Sequence, residues 1–78
     1  MDWKTINNHL EREFIFSDFK QALQFVNKIG ELAEEMGHHP DILLFGYKKV
    51  KITLTTHSKG KITELDYGLA EKIDHIDI

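Results

Sequence analysis

The sequence contains no cysteine, so neither a disulfide bond nor a reactive thiolate has to be considered. It also lacks an apolar run of the roughly 20 residues that span a membrane, and its first residues lack the charged and apolar regions of a signal peptide. The 10 basic and 13 acidic residues, with no block of like charge longer than two, argue against nucleic acid as the main partner, because phosphate binding needs a concentrated basic surface. Five lysines do cluster in the second half, and a solvated strand face and loop explain them better than a phosphate track: Lys48, Lys49, Lys51, Lys59 and Lys61. These absences favour a cytoplasmic protein that binds neither membranes nor nucleic acid.

The chain is also short. Its 78 residues leave too little sequence for a second core, so we expect a single domain over residues 1–78. A domain of this size without disulfides is only marginally stable by itself, which favours oligomerisation.

The first part of the chain predicts two strands and a turn. Strand patterns cover Trp3–Ile6 and Leu10–Phe16, and between them lie Asn7 and Asn8, which tolerate turn geometry. The apolar residues of the second strand share one face, which is interrupted only by Arg12.

A long amphipathic helix follows. Ser17 is the predicted N-cap, and Asp18 is placed in the first turn, where the helix dipole favours negative charge. Gly37 suits the left-handed residue after the last turn, and Pro40 prevents continuation. The apolar stripe recurs at spacings of three and four residues: Phe19, Ala22, Leu23, Val26, Ile29, Ala33 and Met36.

The second half predicts two further strands and a helix. The strands cover Ile42–Phe45 and Tyr47–Thr56, with Gly46 marking either a turn or a bulge. Thr63 and Asp66 form the pattern of a capping box at the start of the second helix. The predicted fold is therefore α+β, in the order β-β-α-β-β-α, with both helices packed on one face of an antiparallel four-stranded sheet.

Three of the five histidines lie at element ends. His38 and His39 follow the long helix, and His57 ends a strand. An imidazole, with an unperturbed pKa of about 6.5, can both give and take protons near neutrality. Glu34 lies one helical turn before His38, so the two can share a face. With Asp66 these residues form a candidate site for proton chemistry.

Simpler explanations exist for each of these residues. A His pair before a proline can merely finish a helix, capping alone accounts for Asp66, and a solvated helix face accounts for Glu34. His9 and His75 are interpreted as surface residues. Three histidines and a carboxylate could hold zinc, but adjacent side chains diverge by about 100° on a helix. We therefore predict no metal.

Two segments together resemble the pterin-4a-carbinolamine dehydratases: residues 33–40, which read AEEMGHHP, and residues 56–66, which read THSKGKITELD. The resemblance extends over nearly the whole chain. It implies a lyase that dehydrates 4a-hydroxytetrahydropterin to quinonoid dihydropterin by histidine general acid–base catalysis, within tetrahydrobiopterin recycling. It further implies a homodimer or homotetramer and a reaction without a cofactor, because the pterin is the substrate.

Position by position, the resemblance makes His38, His39 and His57 catalytic, with Glu34 and Asp66 orienting or tuning their imidazoles. It assigns pterin binding to His38, His39, Pro40, Thr56, His57, Ser58 and Lys59. The chain departs from the family pattern at Ile42, where an aromatic is frequent, at Gly46, an extra residue, and at Lys61, which replaces a glycine. It also begins just before Trp3, without the helix that commonly precedes this domain.

Two other functions remain open. The domain could be a non-catalytic protein-interaction module, because some family members are dimerisation cofactors of transcription regulators. It could also bind a pterin without dehydrating it, for example in molybdopterin metabolism. The protein partner of the first alternative is unknown.

Overall fold

The computed structural model describes residues 2–77 and has six elements in the predicted order. They are β1 (Lys4–Ile6), β2 (His9–Ile15), α1 (Phe19–Met36), β3 (Asp41–Phe45), β4 (Lys49–Leu54) and α2 (Glu64–Asp74). The strands form one antiparallel sheet in the order β1-β2-β4-β3. The α+β class and the β-β-α-β-β-α order are thus confirmed. Within residues 2–77 neither helix is long and apolar enough to cross a membrane.

Both hairpins turn through left-handed backbone. Asn7 and Asn8 have φ values of 47° and 66°, as a two-residue turn between right-twisted strands requires. In the second hairpin Gly46 has a φ of 54°, and the pairing from Phe45–Lys49 to Asp41–Thr53 is uninterrupted. Gly46 therefore forms a turn, and the alternative of a bulge is excluded.

The predicted bounds of the first three strands differ from the structure by one residue, and the predicted start of α1 and both ends of the fourth strand are wrong. The N-cap of α1 is Asp18 rather than Ser17: its carboxylate accepts the N–H of Gln21 at 2.8 Å from an extended backbone. The hydroxyl of Ser17 instead hydrogen-bonds the side-chain oxygen of Gln21 at 2.6 Å. The fourth strand covers only Lys49–Leu54, because its predicted first residues belong to the hairpin turn. At the other end, Thr56 forms only an isolated bridge with Lys61.

One hydrophobic core lies between the helices and the inner face of the sheet. Full burial of a valine, leucine, isoleucine or phenylalanine side chain contributes about 1.5–3 kcal/mol relative to exposure. The core residues are Trp3, Leu10, Ala22, Phe25, Ile29, Val50, Ile52, Leu54, Leu69, Ala70 and Ile73.

Arg12, the exception on the apolar face of β2, connects that strand to the end of α2. Its guanidinium donates to Asp74 at 2.8 Å and lies 4.5 Å from the centroid of the Phe14 ring. The indole N–H of Trp3 donates to the same carboxylate at 3.0 Å. These contacts fix the C-terminal end of α2, while its N-terminal end is at the candidate site.

Candidate functional site

The end of α1 sets the direction of the histidine pair. Gly37 adopts a left-handed φ of 63°, and the N–H of His38 reaches back to the carbonyl of Ala33 at 3.1 Å. The chain therefore leaves the helical path between Met36 and His38. His38 and His39 follow in a segment without regular secondary structure before β3.

His38 pairs with Asp66, which lies on the first turn of α2. Its Nε2 is 2.5 Å from Oδ1 of Asp66, a carboxylate with no solvent exposure, and the His38 side chain itself is 11% exposed. The other oxygen of Asp66 accepts the hydroxyl of Thr56 at 2.8 Å and the N–H of Thr63 at 2.9 Å. Asp66 thus completes the predicted capping box and binds the imidazole at the same time.

Hydrogen bonding decides the charge of Asp66. Burial raises the pKa of its carboxyl, but the hydrogen bonds from His38, Thr63 and Thr56 outweigh burial and hold the pKa below the ordinary value of 3.8. Near neutrality the ionised group can only accept hydrogen bonds, so the proton between it and His38 sits on Nε2. When His38 is neutral, its Nδ1 then carries the lone pair and can receive a proton.

The lowered pKa of Asp66 predicts that the free energy of unfolding decreases in acid. Because its pKa is lower in the folded chain, the unfolded chain binds more protons below about pH 4. Ionised Asp66 contributes fully to the free energy of unfolding above the ordinary carboxyl pKa. This contribution is lost as the pH falls through the lower pKa of the folded state. Urea unfolding between about pH 5 and pH 2 should show a steeper loss for the wild type than for Asp66→Asn. Equal slopes would contradict the ionised, hydrogen-bonded state of Asp66.

Glu34 pairs with His39 rather than with His38. Nε2 of His39 is 2.5 Å from Oε2 of Glu34, with side chains 63% and 78% exposed. The expected pairing of residues four apart fails because Gly37 interrupts the helix before His38. Solvent screens this second pair, so it holds its imidazole less firmly than Asp66 holds His38.

His57 lies next to this network in sequence but outside its hydrogen bonds. His57 follows Thr56 and is the first residue of a tight turn. The N–H of Gly60 closes this turn by donating a hydrogen bond to the carbonyl of Thr56 at 2.9 Å. Its side chain is exposed and hydrogen-bonds neither His38 nor His39 among residues 2–77. An imidazole in this position is accessible to a small molecule.

The predicted binding residues fall into two groups. Three of them, Thr56, Ser58 and Lys59, line an open groove of about 500 Å³. Its other lining residues are Met36, Thr63, Glu64 and Leu65. His38, His39, His57 and Pro40 do not line it. A second groove, of about 540 Å³, lies between the ends of α1 and α2 and contains no predicted site residue.

The remaining histidines lie elsewhere. His9 is 3.7 Å from Glu11 on β2, and His75 is exposed after α2, with Nδ1 2.8 Å from the carbonyl of Glu71. Across residues 2–77, no three histidine, aspartate or glutamate side chains gather as a set that could hold a metal ion.

The sequence did not indicate that the Thr63 side chain contacts Thr56 in the hydrogen-bond network around Asp66. Its hydroxyl is 2.7 Å from that of Thr56, in addition to accepting the N–H of Leu65 at 3.3 Å. The capping pattern identified Thr63 as a helix start only. The contact with Thr56 depends on the turn between them, which is closed by the Thr56–Lys61 bridge and has no sequence signature of its own.

Comparison with known proteins links this geometry to one family. The family model described as pterin 4 alpha carbinolamine dehydratase matches residues 1–76. A relative from Alkaliphilus metalliredigens is 55% identical over 74 residues, covering 94% of this chain and 66% of its own length. One from Sulfurisphaera tokodaii is 47% identical over 74 residues, covering 95% and 78%. Both are provisionally named pterin-4-alpha-carbinolamine dehydratases.

Two solved structures share the fold. A Brucella melitensis protein described as a transcriptional coactivator/pterin dehydratase is 35% identical, with a TM-score of 0.88 over 94% of this chain and 79% of its own. A pterin dehydratase-like protein, described as a RuBisCO assembly factor in the alpha-carboxysome, is 29% identical. It has a TM-score of 0.74 over 92% of this chain and 82% of its own.

Proposed function

Because this chain belongs to the pterin-4a-carbinolamine dehydratase family, we propose that it dehydrates 4a-hydroxytetrahydropterin to quinonoid dihydropterin. The observation that carries the proposal is the buried pair of His38 and Asp66, with Nε2 and Oδ1 2.5 Å apart. A folded domain gains little stability from a buried ionisable pair. The same pair is well suited to proton transfer at the free ring nitrogen of the imidazole.

The reaction needs one acid and one base. The acid protonates the C4a hydroxyl, the carbon–oxygen bond breaks, and water leaves. The base removes a proton from the adjacent ring nitrogen, whose electrons form the new carbon–nitrogen double bond. No proton is gained or lost overall, and no electrons are exchanged with another molecule. Positioned acid–base groups typically contribute about 10²–10⁴-fold to such a step.

In this proposal His38, His39 and His57 share the two roles. Asp66 is hydrogen-bonded to Nε2 of His38, and Glu34 to Nε2 of His39. Nδ1 of both imidazoles is therefore available to face the substrate. His57 is exposed and can approach the pterin from the neighbouring turn.

Binding in this proposal uses the histidines and the residues around them. Pro40 would pack against the ring, and the backbone of residues 56–59 would hydrogen-bond the amide edge of the pterin. No cofactor takes part.

A direct assay tests this function. Purified protein mixed with freshly generated 4a-hydroxytetrahydropterin near pH 7 should dehydrate it at least about 10²-fold faster than the same concentration of free imidazole. The imidazole control separates positioned catalysis from the effect of a buffer base. A rate equal to that control would refute the dehydratase proposal.

A second candidate, a protein-interaction module, is favoured by the names of the two solved relatives, one a coactivator and one an assembly factor. Such a role would not need the His38–Asp66 pair. This candidate would be supported if the wild type showed no dehydratase activity and a protein partner still bound after His38, His39 and His57 were all replaced by alanine. Pterin binding without dehydration would indicate a pterin-binding protein of another pathway.

The cellular setting completes the proposal. We place the protein in the cytoplasm, in pterin recycling, as a homodimer or homotetramer. The small core of a domain of this size, which has no disulfide to stabilise it, supports self-association. Sedimentation equilibrium at micromolar concentration would measure the assembly, and a monomer would contradict this part.

A further inference from the structure

One flank of α1 carries a row of apolar residues that the rest of residues 2–77 leaves partly exposed. Two of them, Phe19 and Leu23, are 51% and 42% exposed. α2 packs on the opposite flank, where a Cβ placed at Gly68 would lie 3.8 Å from Cε of Met36. The row recurs at spacings of four, three and four residues, and we call it the α1 stripe: Phe19, Leu23, Val26 and Gly30.

Gly30 is not explained by packing within the chain. It lies in the interior of α1, where glycine destabilises a helix relative to alanine. Apart from adjacent residues and the helix backbone, no heavy atom of residues 2–77 would lie within 4 Å of a Cβ at Gly30. An alanine would therefore fit the single chain and strengthen the helix. What a glycine permits at such a position is the close approach of another segment to the helix backbone.

The α1 stripe is complementary to itself when two helices run antiparallel. Phe19, its largest member, lies at the start of α1, and Gly30, its smallest, lies in the second half. If two copies of α1 pack about a two-fold axis, the Phe19 ring of each copy lies on Gly30 of the other. The same register places Leu23 of each copy opposite Val26 of the other.

Charge beside the stripe favours the same orientation. Lys20 is the only charged residue in positions 19–27, whereas Glu31 and Glu34 lie in the second half, and all three are exposed. Lys20 and Glu31 share a side of the helix, because eleven residues make about three turns. Since they directly follow Phe19 and Gly30, the antiparallel register brings Lys20 of each copy near Glu31 of the other. A parallel pair would instead bring like charges together.

From these features we infer that α1 is a self-association surface, which binds α1 of a second copy of this chain in antiparallel orientation. The occupant is a second copy because large matches small, and basic matches acidic, across one two-fold axis. The inference rests on the homo-oligomer proposed above and does not depend on dehydration of a pterin.

Gly30→Ala should have opposite effects on the assembly and on the single chain. The added methyl group overpacks the contact between two α1 helices, so the dimer dissociation constant should rise at least about tenfold. In the monomer the same change should shift the unfolding equilibrium about two- to fivefold towards the folded state. Gly68→Ala is the matched control, because it adds the same methyl group to α2, outside the stripe. Its dissociation constant should stay within about twofold of the wild type.

Two further comparisons test the apolar and the charged contacts separately. Leu23→Gln should raise the dissociation constant about tenfold, whereas Tyr67→Gln should not, although Tyr67 on α2 is similarly exposed, at 45%. Lys20→Glu and Glu31→Lys should each raise it about threefold, and the double variant should return it to the wild-type value.

Sedimentation equilibrium measures the dissociation constants, and urea unfolding below the wild-type dissociation constant measures the monomer. Equal dissociation constants for Gly30→Ala and Gly68→Ala would overturn the inference, and so would a double charge variant that dissociates as readily as its single variants. A monomeric wild type would overturn both the inference and the proposed assembly. If Gly30→Ala weakens the dimer but the wild type does not dehydrate the pterin, the proposed function fails and the inference is supported.

Discussion

Replacing Asp66 with asparagine is expected to slow dehydration by about 10²–10⁴-fold, the whole contribution of a positioned acid–base group. The two donors at Oδ2, from Thr56 and Thr63, would hold the amide oxygen in that position. The amide nitrogen, which only donates, would then face Nε2 of His38. The imidazole would have to carry its proton on Nδ1 instead. Nδ1, the nitrogen proposed to face the substrate, would no longer accept a proton.

The exposed pair supplies a matched control for this variant. Glu34→Gln makes the same chemical change beside His39, but there both side chains are mostly solvent-exposed and water can replace the lost contact. We expect its rate to stay within about fivefold of the wild type. Stopped-flow dehydration of both variants at saturating pterin measures the difference. An Asp66→Asn rate as high as that of Glu34→Gln would rule out a catalytic role for the buried pair.

Replacing His57 with alanine should have the second large effect, a loss of about 10²-fold or more in kcat. His57 is exposed and its side chain has no hydrogen bond within residues 2–77, so its removal should change the free energy of unfolding by no more than about 0.5 kcal/mol. The lost rate would therefore not reflect a lost fold.

His75→Ala is the matched control for this variant, because His75 is an exposed histidine beyond the far end of α2. Urea unfolding and dehydration rates of both variants separate stability from catalysis. A His57→Ala chain as active as His75→Ala would remove His57 from the mechanism.

The fold was largely readable from the sequence because its signals are local. The Asn7–Asn8 turn, the apolar stripe of α1 and the capping box at Thr63 each need only a few neighbouring residues to be recognised. The boundary errors are also local. Ser17 and Asp18 are both good N-caps, and the choice between them depends on which side chain reaches the N–H of Gln21.

The site was readable only in part, because pairing across the fold has no periodic signal. Sequence spacing suggested Glu34 with His38, but the left-handed Gly37 directs Glu34 to His39 and leaves His38 to Asp66, 28 residues away. The family resemblance supplied the residues of the candidate site. Their partners and the direction of their hydrogen bonds required coordinates.

The most direct test of the account compares dehydration by the wild type with dehydration by a chain in which His38, His39 and His57 are all alanine. Both should be measured at saturating 4a-hydroxytetrahydropterin near pH 7. The account predicts that the wild type exceeds the triple variant by at least about 10²-fold and that the variant matches free imidazole. Equal rates for the two chains would contradict histidine acid–base catalysis by this protein.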